Sequence, residues 1–528
     1  ELQAQGHAFA TDGDAEVILA AWSVWGTDCV SRFNGMFALA LWDGERLFCA
    51  RDRFGEKPFL YAQGDGFLAF ASEYKALLAL EGVSAGIHET ALARFLITPA
   101  DGLDRDGATL FPAIRQLPPA HVMVVDPDLS VRLTRYWDGA ADESAAGLSD
   151  VQASDRFREL LDDSVRLRLR SDVPVGSCLS GGLDSGSIAC LVRRQLGAGV
   201  PYHTFSGRFP GAAVDEGEYM DVVADVVQPV RHEIAPDPAR LVDELAEFAW
   251  ANELPVDSAS QYAQYCVFRA ARAEGVVVLL DGQGADEILG GYEQYFAAYL
   301  AETGAAERAA VDARYPGALD HVNPWHARLP VALRRRLAHV TGKGSDLAFG
   351  LNPDLVPKQR PKPMQSLHQA LRRDALGGFL GTLLRYGDRN SMAHSVEVRL
   401  PFTDHRLFEF AQGLSPRLLM GDAQTKRLLR QAMAGILPDK VRNRWRKQGF
   451  LPPHAAWLQG GLIGAAQAAV AECDPVFWNR GWWRATLARF QAGDTSLATG
   501  LWKVLATEAW RRHFLGPASA QPKYAPLI

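Results

Sequence analysis

The run Ser180-Gly181-Gly182-Leu183-Asp184-Ser185 has the residue types needed to hold an oligophosphate. Its glycines let backbone amides turn inward with no side chain in the way, and a helix starting there would add partial positive charge. Ser180 and Ser185 supply hydroxyl donors as well. The Walker-A pattern is absent: this loop has no lysine, and Gly342-Lys343-Gly344-Ser345 lacks the spacing. A second run, Asp281-Gly282-Gln283-Gly284-Ala285-Asp286-Glu287, again combines glycines with carboxylates. If both loops end strands of one sheet, Asp184 and Asp286 meet at one edge, and two carboxylates facing a triphosphate make a seat for magnesium, which favours hard oxygen ligands. Each loop alone has a plainer reading. A lone S-G-G is more often a tight strand-to-helix turn, and Asp286 with Glu287 would serve as the capped start of a helix over 288–292. The second serine and the aspartate of the first loop, which a turn does not require, tip the balance towards phosphate.

Strands must deliver these loops. Apolar runs at 175–179 and 276–280 directly precede them, and a helical pattern at 187–196 follows the first. Around them lie a helix through Phe157, Leu160, Leu161 and Val165, a strand near 202–206, a helix around 219–227 and a long helix at about 261–274. Strands alternating with helices imply a parallel sheet covered on both faces, where ligands bind at the carboxyl ends of the strands. Residues 292 to about 515 read as mostly helical, and the tail beyond as frayed. Upstream the pattern differs. Val17, Ile18, Ala21, Trp22 and Trp25 recur at helical spacing as core-packing residues, with Asp14 placed to cap the first turn. Short apolar runs at 36–42, 47–50 and 67–71, an Asp43-Gly44 turn and a further strand at 59–61 make the region to Trp137 sheet-rich. The small, polar stretch DGAADESAAGLSD marks a linker at 138–150, which separates a domain over 1–137 from one over 151–515, with a tail at 516–528.

A chain of 528 residues exceeds one compact core and predicts two or three domains. Its 48% hydrophobic and 22% charged content excludes global disorder. Fifty-five basic against 62 acidic side chains leave a net charge of -7 with no dense basic block, so nothing advertises nucleic acid or an anionic membrane. Six cysteines, at 29, 49, 178, 190, 266 and 473, form no C-x-x-C pair and read as reduced thiols of a cytoplasmic protein. No apolar run is long enough for a membrane span, and no signal-peptide pattern opens the chain. The first residue is Glu1, which leads to the expectation of a truncated sequence.

The two loops, together with Arg389-Asn390-Ser391-Met392-Ala393-His394-Ser395-Val396-Glu397-Val398-Arg399-Leu400-Pro401-Phe402-Thr403-Asp404, make the chain resemble the glutamine-hydrolysing asparagine synthetases. Gly13-Asp14-Ala15-Glu16-Val17, Arg32-Phe33-Asn34-Gly35-Met36-Phe37-Ala38 and Ala50-Arg51-Asp52-Arg53-Phe54-Gly55-Glu56-Lys57-Pro58 look like the later half of that family's glutaminase domain. The resemblance covers nearly the whole chain except the tail. It implies an α/β protein: a partial αββα glutaminase sandwich of the N-terminal-nucleophile type, then a doubly wound parallel-sheet ATP pyrophosphatase domain with a largely helical C-terminal part. It further implies that glutamine is hydrolysed by an N-terminal cysteine, and that ATP with magnesium adenylates a carboxylate which the released ammonia attacks. By matching position, Asp14 would hold the α-amino group of glutamine. Ser180, Gly181, Gly182, Leu183, Asp184 and Ser185 would grip pyrophosphate, Leu179, Gly207, Asp281 and Gly282 would border the adenosine, and Asp184 with Asp286 would carry Mg2+. Lys447 matches the lysine that approaches the reacting phosphate and carboxylate, where an ammonium stabilises developing charge; without the resemblance it reads as a solvated charge. Arg389, Glu397 and Arg399 read mainly as a structural ion network near the site. The implied partners are small molecules (ATP, glutamine or ammonia, aspartate or another carboxylate), with no nucleic acid, no membrane, and a homodimer left open.

Two departures qualify the expectation. The family's terminal cysteine and the segment that cradles glutamine are absent from this sequence, and an internal cysteine has no free α-amino group to act as base. As written, the polypeptide is expected not to hydrolyse glutamine and to depend on a longer parent or on free ammonia. Gln283 stands where these enzymes usually carry an acidic residue; its amide orients a carboxylate or ammonia by hydrogen bonds but accepts no proton. Asp281 replaces a usual serine or threonine. The leading expectation is the conversion of aspartate to asparagine through β-aspartyl-AMP. Its rivals are the same chemistry on a sugar uronic acid or biosynthetic intermediate, a tRNA-modifying ATP pyrophosphatase, which the acidic balance disfavours, and a non-enzymatic nucleotide-binding scaffold.

Overall fold

The computed structural model describes residues 1–103, 107–316, 347–356, 365–446 and 449–516. Lys447, the tail from 517 and parts of the expected helical stretch lie outside the described residues. The chain divides into two compact units, Glu1–Ser84 with Asp104–Ala140, and Ala85–Leu103 with Ala141–Ile528. The change of unit near 140 falls inside the stretch read as a linker; the assignment of 85–103, which carries the helix Glu89–Ile97, to the second unit was not anticipated.

The first unit combines the helices Asp14–Trp25 and Tyr74–Leu78 with two antiparallel sheets. β1 (Ala38–Trp42), β2 (Leu47–Arg51), β6 (His121–Val125) and β7 (Val131–Arg135) form one sheet in the order β1-β2-β6-β7. β3 (Leu60–Gly64), β4 (Phe67–Ala71) and the two-residue β5 (Arg115–Gln116) form the other, with β3 in the middle. Side chains along a strand alternate between faces, and β2 and β6 show the consequence. Phe48, Ala50 and Val122 pack with Ala21 of the helix Asp14–Trp25, while Cys49, Met123 and Val125 pack with Phe59 and Tyr61. The helix has the expected span, but Gly13 is its N-cap and no side chain caps it. Asp14 therefore does not cap: as the first helical residue it is already past the position from which a carboxylate reaches the free amides.

The second unit is built on a parallel sheet of β8 (Val175–Cys178), β9 (His203–Gly207), β10 (Val230–Ile234), β11 (Val278–Leu280) and β12 (Glu397–Arg399). Its order is β10-β9-β8-β11-β12, so the chain winds outward from β8 in one direction and then resumes on the other side of β8. That reversal creates a crevice beyond the carboxyl ends of β8 and β11, the position where open α/β sheets bind ligands. The helix Ser260–Ala273 lays Val267, Phe268 and Ala271, at spacings of one and three residues, against Phe205 and Leu279 of the sheet. The helix Asp150–Arg168 starts in a capping box: Ser149 accepts from the Gln152 amide, and the Gln152 side chain accepts from the Ser149 amide. Among the described residues no helix is long and apolar enough to cross a membrane.

Candidate active site

β8 ends at Cys178, and the chain turns through 179–182 into the helix Leu183–Leu196. Gly181 takes φ +74, and a Cβ there would lie 2.9 Å from Tyr219 Cβ and 3.1 Å from the Glu216 carbonyl oxygen. Only glycine allows both this left-handed conformation and this close approach. The N-cap of the helix is Gly182, which has no side chain to cap the first-turn amides. Ser185 Oγ accepts from the Ser180 amide at 3.1 Å and lies 3.0 Å from Ser180 Oγ, which closes the loop into a cup. The result is a helix start whose dipole and amides suit an anion.

The second loop follows β11 and leads into the short helix Ala285–Leu289, whose N-cap Gly284 is left-handed. The 389–404 run supports it from behind: the Asp281 amide donates to the Arg399 carbonyl at 3.0 Å, extending the pairing of β11 with β12. The loops touch. A Cβ built on Gly282 would lie 2.9 Å from Asp184 Cβ and 3.0 Å from the Ser185 amide nitrogen.

Both loops line one cavity of about 390 Å3. Leu179, Ser180, Gly182, Leu183, Asp184, Ser185, Gly207, Asp281, Gly282, Gln283 and Asp286 all border it, whereas Gly181 turns away against 216–220. Leu179, Phe205, Val267 and Phe450 make one wall apolar, which suits a flat heterocycle, and the cup of 180–185 supplies the polar end. Ser258, Ser260, Gln261 and Gln264 add neutral polar groups to the lining, and Glu216 and Asp257 add carboxylates from outside the two loops. ATP fits this combination of apolar slot and uncapped helix start.

Asp184 and Asp286 come from different loops and aim at one cation. Lys426 Nζ lies 2.7 Å from both Asp184 carboxylate oxygens and 2.7 Å from Asp286 Oδ1. Two hard carboxylates converging on a positive charge are the donor set magnesium takes, so the residues fit that ion. Burial pulls the Lys426 ammonium down, but Asp184 and Asp286 outweigh it and its pKa lies above the ordinary lysine value. Asp281 behaves differently. Its Oδ1 accepts from the Gly282 amide at 2.6 Å, yet burial, with a smaller contribution from the nearby Asp184 charge, pushes the carboxyl up to about 6.

Lys426, Arg430, Arg444 and Arg446 were not anticipated, and all four border the cavity. Arg430 is buried, donates to the Thr425 carbonyl at 2.8 Å, and is lowered by burial; Arg444 pairs with Glu216 and stacks over Tyr219. For Arg430 the available signal was its recurrence three residues after Arg427 around Leu428 and Leu429; Lys426, the N-cap of that helix, carried no such signal. Arg389, Glu397 and Arg399 do not border the cavity. Arg389 pairs with buried Glu253 at 2.9 Å, and Arg399 donates to Glu397 and to the carbonyls of Arg168 and Arg170. Asp14 is exposed on the first unit. All six cysteines are free thiols.

An asparagine synthase family model matches residues 156–512, and a glutamine amidotransferase domain model matches residues 1–137. Asparagine synthetase [glutamine-hydrolyzing] 3 of Bacillus subtilis is 32% identical over 484 residues, covering 87% of this chain and 74% of that protein. Asparagine synthetase [glutamine-hydrolyzing] 1 of the same organism is 27% identical over 584 residues, covering 99% and 85%. Amidase chry2 of Gibberella zeae is 26% identical over 516 residues, covering 86% and 75%. The chain belongs to the asparagine synthase family, and is an ATP-dependent amidotransferase of that type, a carbon–nitrogen ligase.

Proposed function

We propose that the second unit adenylates the side-chain carboxylate of aspartate and that ammonia then displaces AMP to give asparagine. The observation that carries this reading is the meeting of the 180–185 and 281–287 loops around one cavity with an apolar slot at one end and converging carboxylates at the other. An unactivated carboxylate is a poor electrophile. Attack of one of its oxygens on the α-phosphorus breaks the bond to the bridging oxygen of pyrophosphate, and the resulting mixed anhydride has AMP as leaving group. Ammonia adds to the acyl carbon, loses a proton and expels AMP. Ser180, Ser185 and the amides at the helix start hold the departing pyrophosphate, while Leu179, Gly207, Asp281 and Gly282 border the adenosine. Asp184 and Asp286 would hold magnesium, which neutralises charge on the phosphate chain when bound. Gln283 orients the acceptor or ammonia through its amide, and Lys447 supplies positive charge between acyl oxygen and phosphate. In the first unit Asp14 binds the α-amino group of glutamine, the nitrogen donor. The setting is the cytoplasm, where free thiols persist.

One observation favours a second reading with another carboxylate as acceptor. Gln283, at a position where the family usually carries an acidic residue, borders the cavity, and its neutral amide cannot pair as a carboxylate would with the ammonium that aspartate presents. Release of AMP and pyrophosphate is measured against a panel of carboxylic acids with ammonium as donor. Stimulation by aspartate supports the first reading. No response to aspartate beside a strong response to a uronic acid replaces it, and no pyrophosphate with any acid removes both.

A further inference from the structure

Adenylation and amide formation leave the position of Lys426 unexplained. Its ammonium is buried and bridges the two loops through three carboxylate oxygens, each at 2.7 Å. Magnesium held by Asp184 and Asp286 at about 2.0–2.1 Å would sit where the ammonium now contacts both oxygens of Asp184 and Oδ1 of Asp286. Two cations cannot share that point, because they would repel each other at short range with little solvent between them. Lys426 must leave when the metal arrives.

The backbone carrying Lys426 is built for such a departure. Asp422, Ala423 and Lys426 take φ values of 58, 49 and 49, so three non-glycine residues within five positions adopt the left-handed conformation. Each is disfavoured by the contact of its Cβ with the backbone, and such strain persists only where surrounding interactions impose it. Several interactions impose it here: Arg427 Nε donates to Asp422 and Arg430 Nε to the Thr425 carbonyl, each at 2.8 Å, while Lys426 itself, the N-cap of the helix Arg427–Ala432, has no side-chain cap bond, makes a 3.4 Å amide contact with the Gly290 carbonyl, and is held by its ion cluster. Loss of the carboxylate partners removes the restraint on the Lys426 side chain.

We propose that Lys426 is the resident counter-cation of the metal seat: it joins Asp184 to Asp286 while no metal is bound, free magnesium alone does not displace it, and the ion enters only together with the nucleotide, whose phosphates compensate the displaced ammonium. This rests on the assignment of Asp184 and Asp286 to magnesium. The protein thereby enforces joint entry of metal and triphosphate and keeps the two loops together between turnovers.

Manganese, followed by the loss of its free electron-spin-resonance signal, is titrated into the full chain and into Lys426→Gln, with and without a non-hydrolysable ATP analogue. Without analogue, wild type is expected to bind manganese weakly and the variant at least roughly tenfold more tightly. Equal or weaker nucleotide-free binding by the variant overturns the exchange. If analogue-dependent binding is missing in wild type, or survives unchanged in Asp286→Asn, the metal assignment itself is wrong and the proposal falls with it. Should Lys426→Gln fail to fold, amide hydrogen exchange of residues 421–427 in wild type decides. Faster exchange with magnesium plus analogue, but not with magnesium alone, supports the proposal, and any other pattern overturns it.

Discussion

Asp52 in the first unit and the pair Asp184 and Asp286 in the second are carboxylates withdrawn from solvent, but they are satisfied in different ways. Asp52 is 1% exposed and accepts four backbone amides: Glu56 at 2.9 Å and Phe54 at 3.2 Å on one oxygen, Lys57 at 2.9 Å and Phe37 at 3.3 Å on the other. Its neighbour Arg51 clamps the same turn by donating to the carbonyls of Gly55, Lys57 and Leu117. Those partners are main chain and cannot leave without unfolding the turn. At Asp184 and Asp286 the bridging partner is a side-chain ammonium on a strained loop, which can leave. Backbone ligands make an anchor, and a removable cation makes a site.

Neutralising one carboxylate in each place should separate the two roles, with the largest effect at the site. Asp286→Asn removes half of the cation seat, and pyrophosphate release is expected to fall by roughly a thousandfold or more, with modest change in unfolding because Lys426 keeps Asp184. Asp52→Asn turns an acceptor into a donor facing backbone amides. It should cost about 3–5 kcal/mol of stability in urea unfolding while sparing ammonium-dependent pyrophosphate release. A stable Asp52→Asn, or an active Asp286→Asn, breaks the contrast.

The contact between the loops provides the next test. Gly282→Ala places a methyl 2.9 Å from Asp184 Cβ and 3.0 Å from the Ser185 amide nitrogen, where backbone cannot yield cheaply. Pushing the loops apart misplaces both aspartates, so turnover should drop about a hundredfold with a stability loss of about 1–3 kcal/mol. Gly44→Ala in the first unit has φ +103 but no atom within 4 Å of the added methyl, so its penalty is conformational only, about 1 kcal/mol with turnover unchanged.

What the chain reveals before folding follows the range of the interactions involved. The strand before each glycine loop is visible because an apolar run ending in glycine and aspartate is a local pattern, and β8 and β11 stand where it places them. β10 escapes notice because, as an edge strand, it carries Arg231, His232 and Glu233 between its apolar ends, with no buried face to impose alternation. β12 is three residues flanked by charges and reads as an ion network, although it extends the sheet beside β11. The helix Pro238–Asn252 was likewise unanticipated, despite Asp237 accepting from Ala239 as its cap. Lys426 could not be found by spacing at all: it lies 242 positions from Asp184 and 140 from Asp286, and only the tertiary fold brings them together. Asp52 was visible as part of a motif, but not as the acceptor of four amides.

Acidity sharpens the contrast on a smaller scale, because Asp281 at the site and His454, which lines a separate cavity, are shifted by burial in opposite directions. Asp281 is raised to about 6 by burial, so the folded protein holds its proton more tightly than the unfolded chain does. That contribution is complete below the ordinary carboxyl pKa and is lost as pH rises through about 6. Asp281→Asn should therefore raise the unfolding free energy at pH 8 by about 2 kcal/mol and change it little at pH 4. His454 has the opposite sign. Its Nε2 accepts from the Ala259 amide at 3.2 Å, and burial holds the imidazole down to about 4. The folded state then takes up fewer protons than the unfolded one, and stability falls as pH drops from the ordinary histidine value towards 4. Measured in urea across pH 4–8, His454→Gln should flatten the acid side by about 1 kcal/mol, while Asp281→Asn flattens the neutral side. If the two variants shift the same limb of the profile, the Asp281 carboxyl titrates as an ordinary surface acid and the second loop is more open to water than its packing against Asp184 implies.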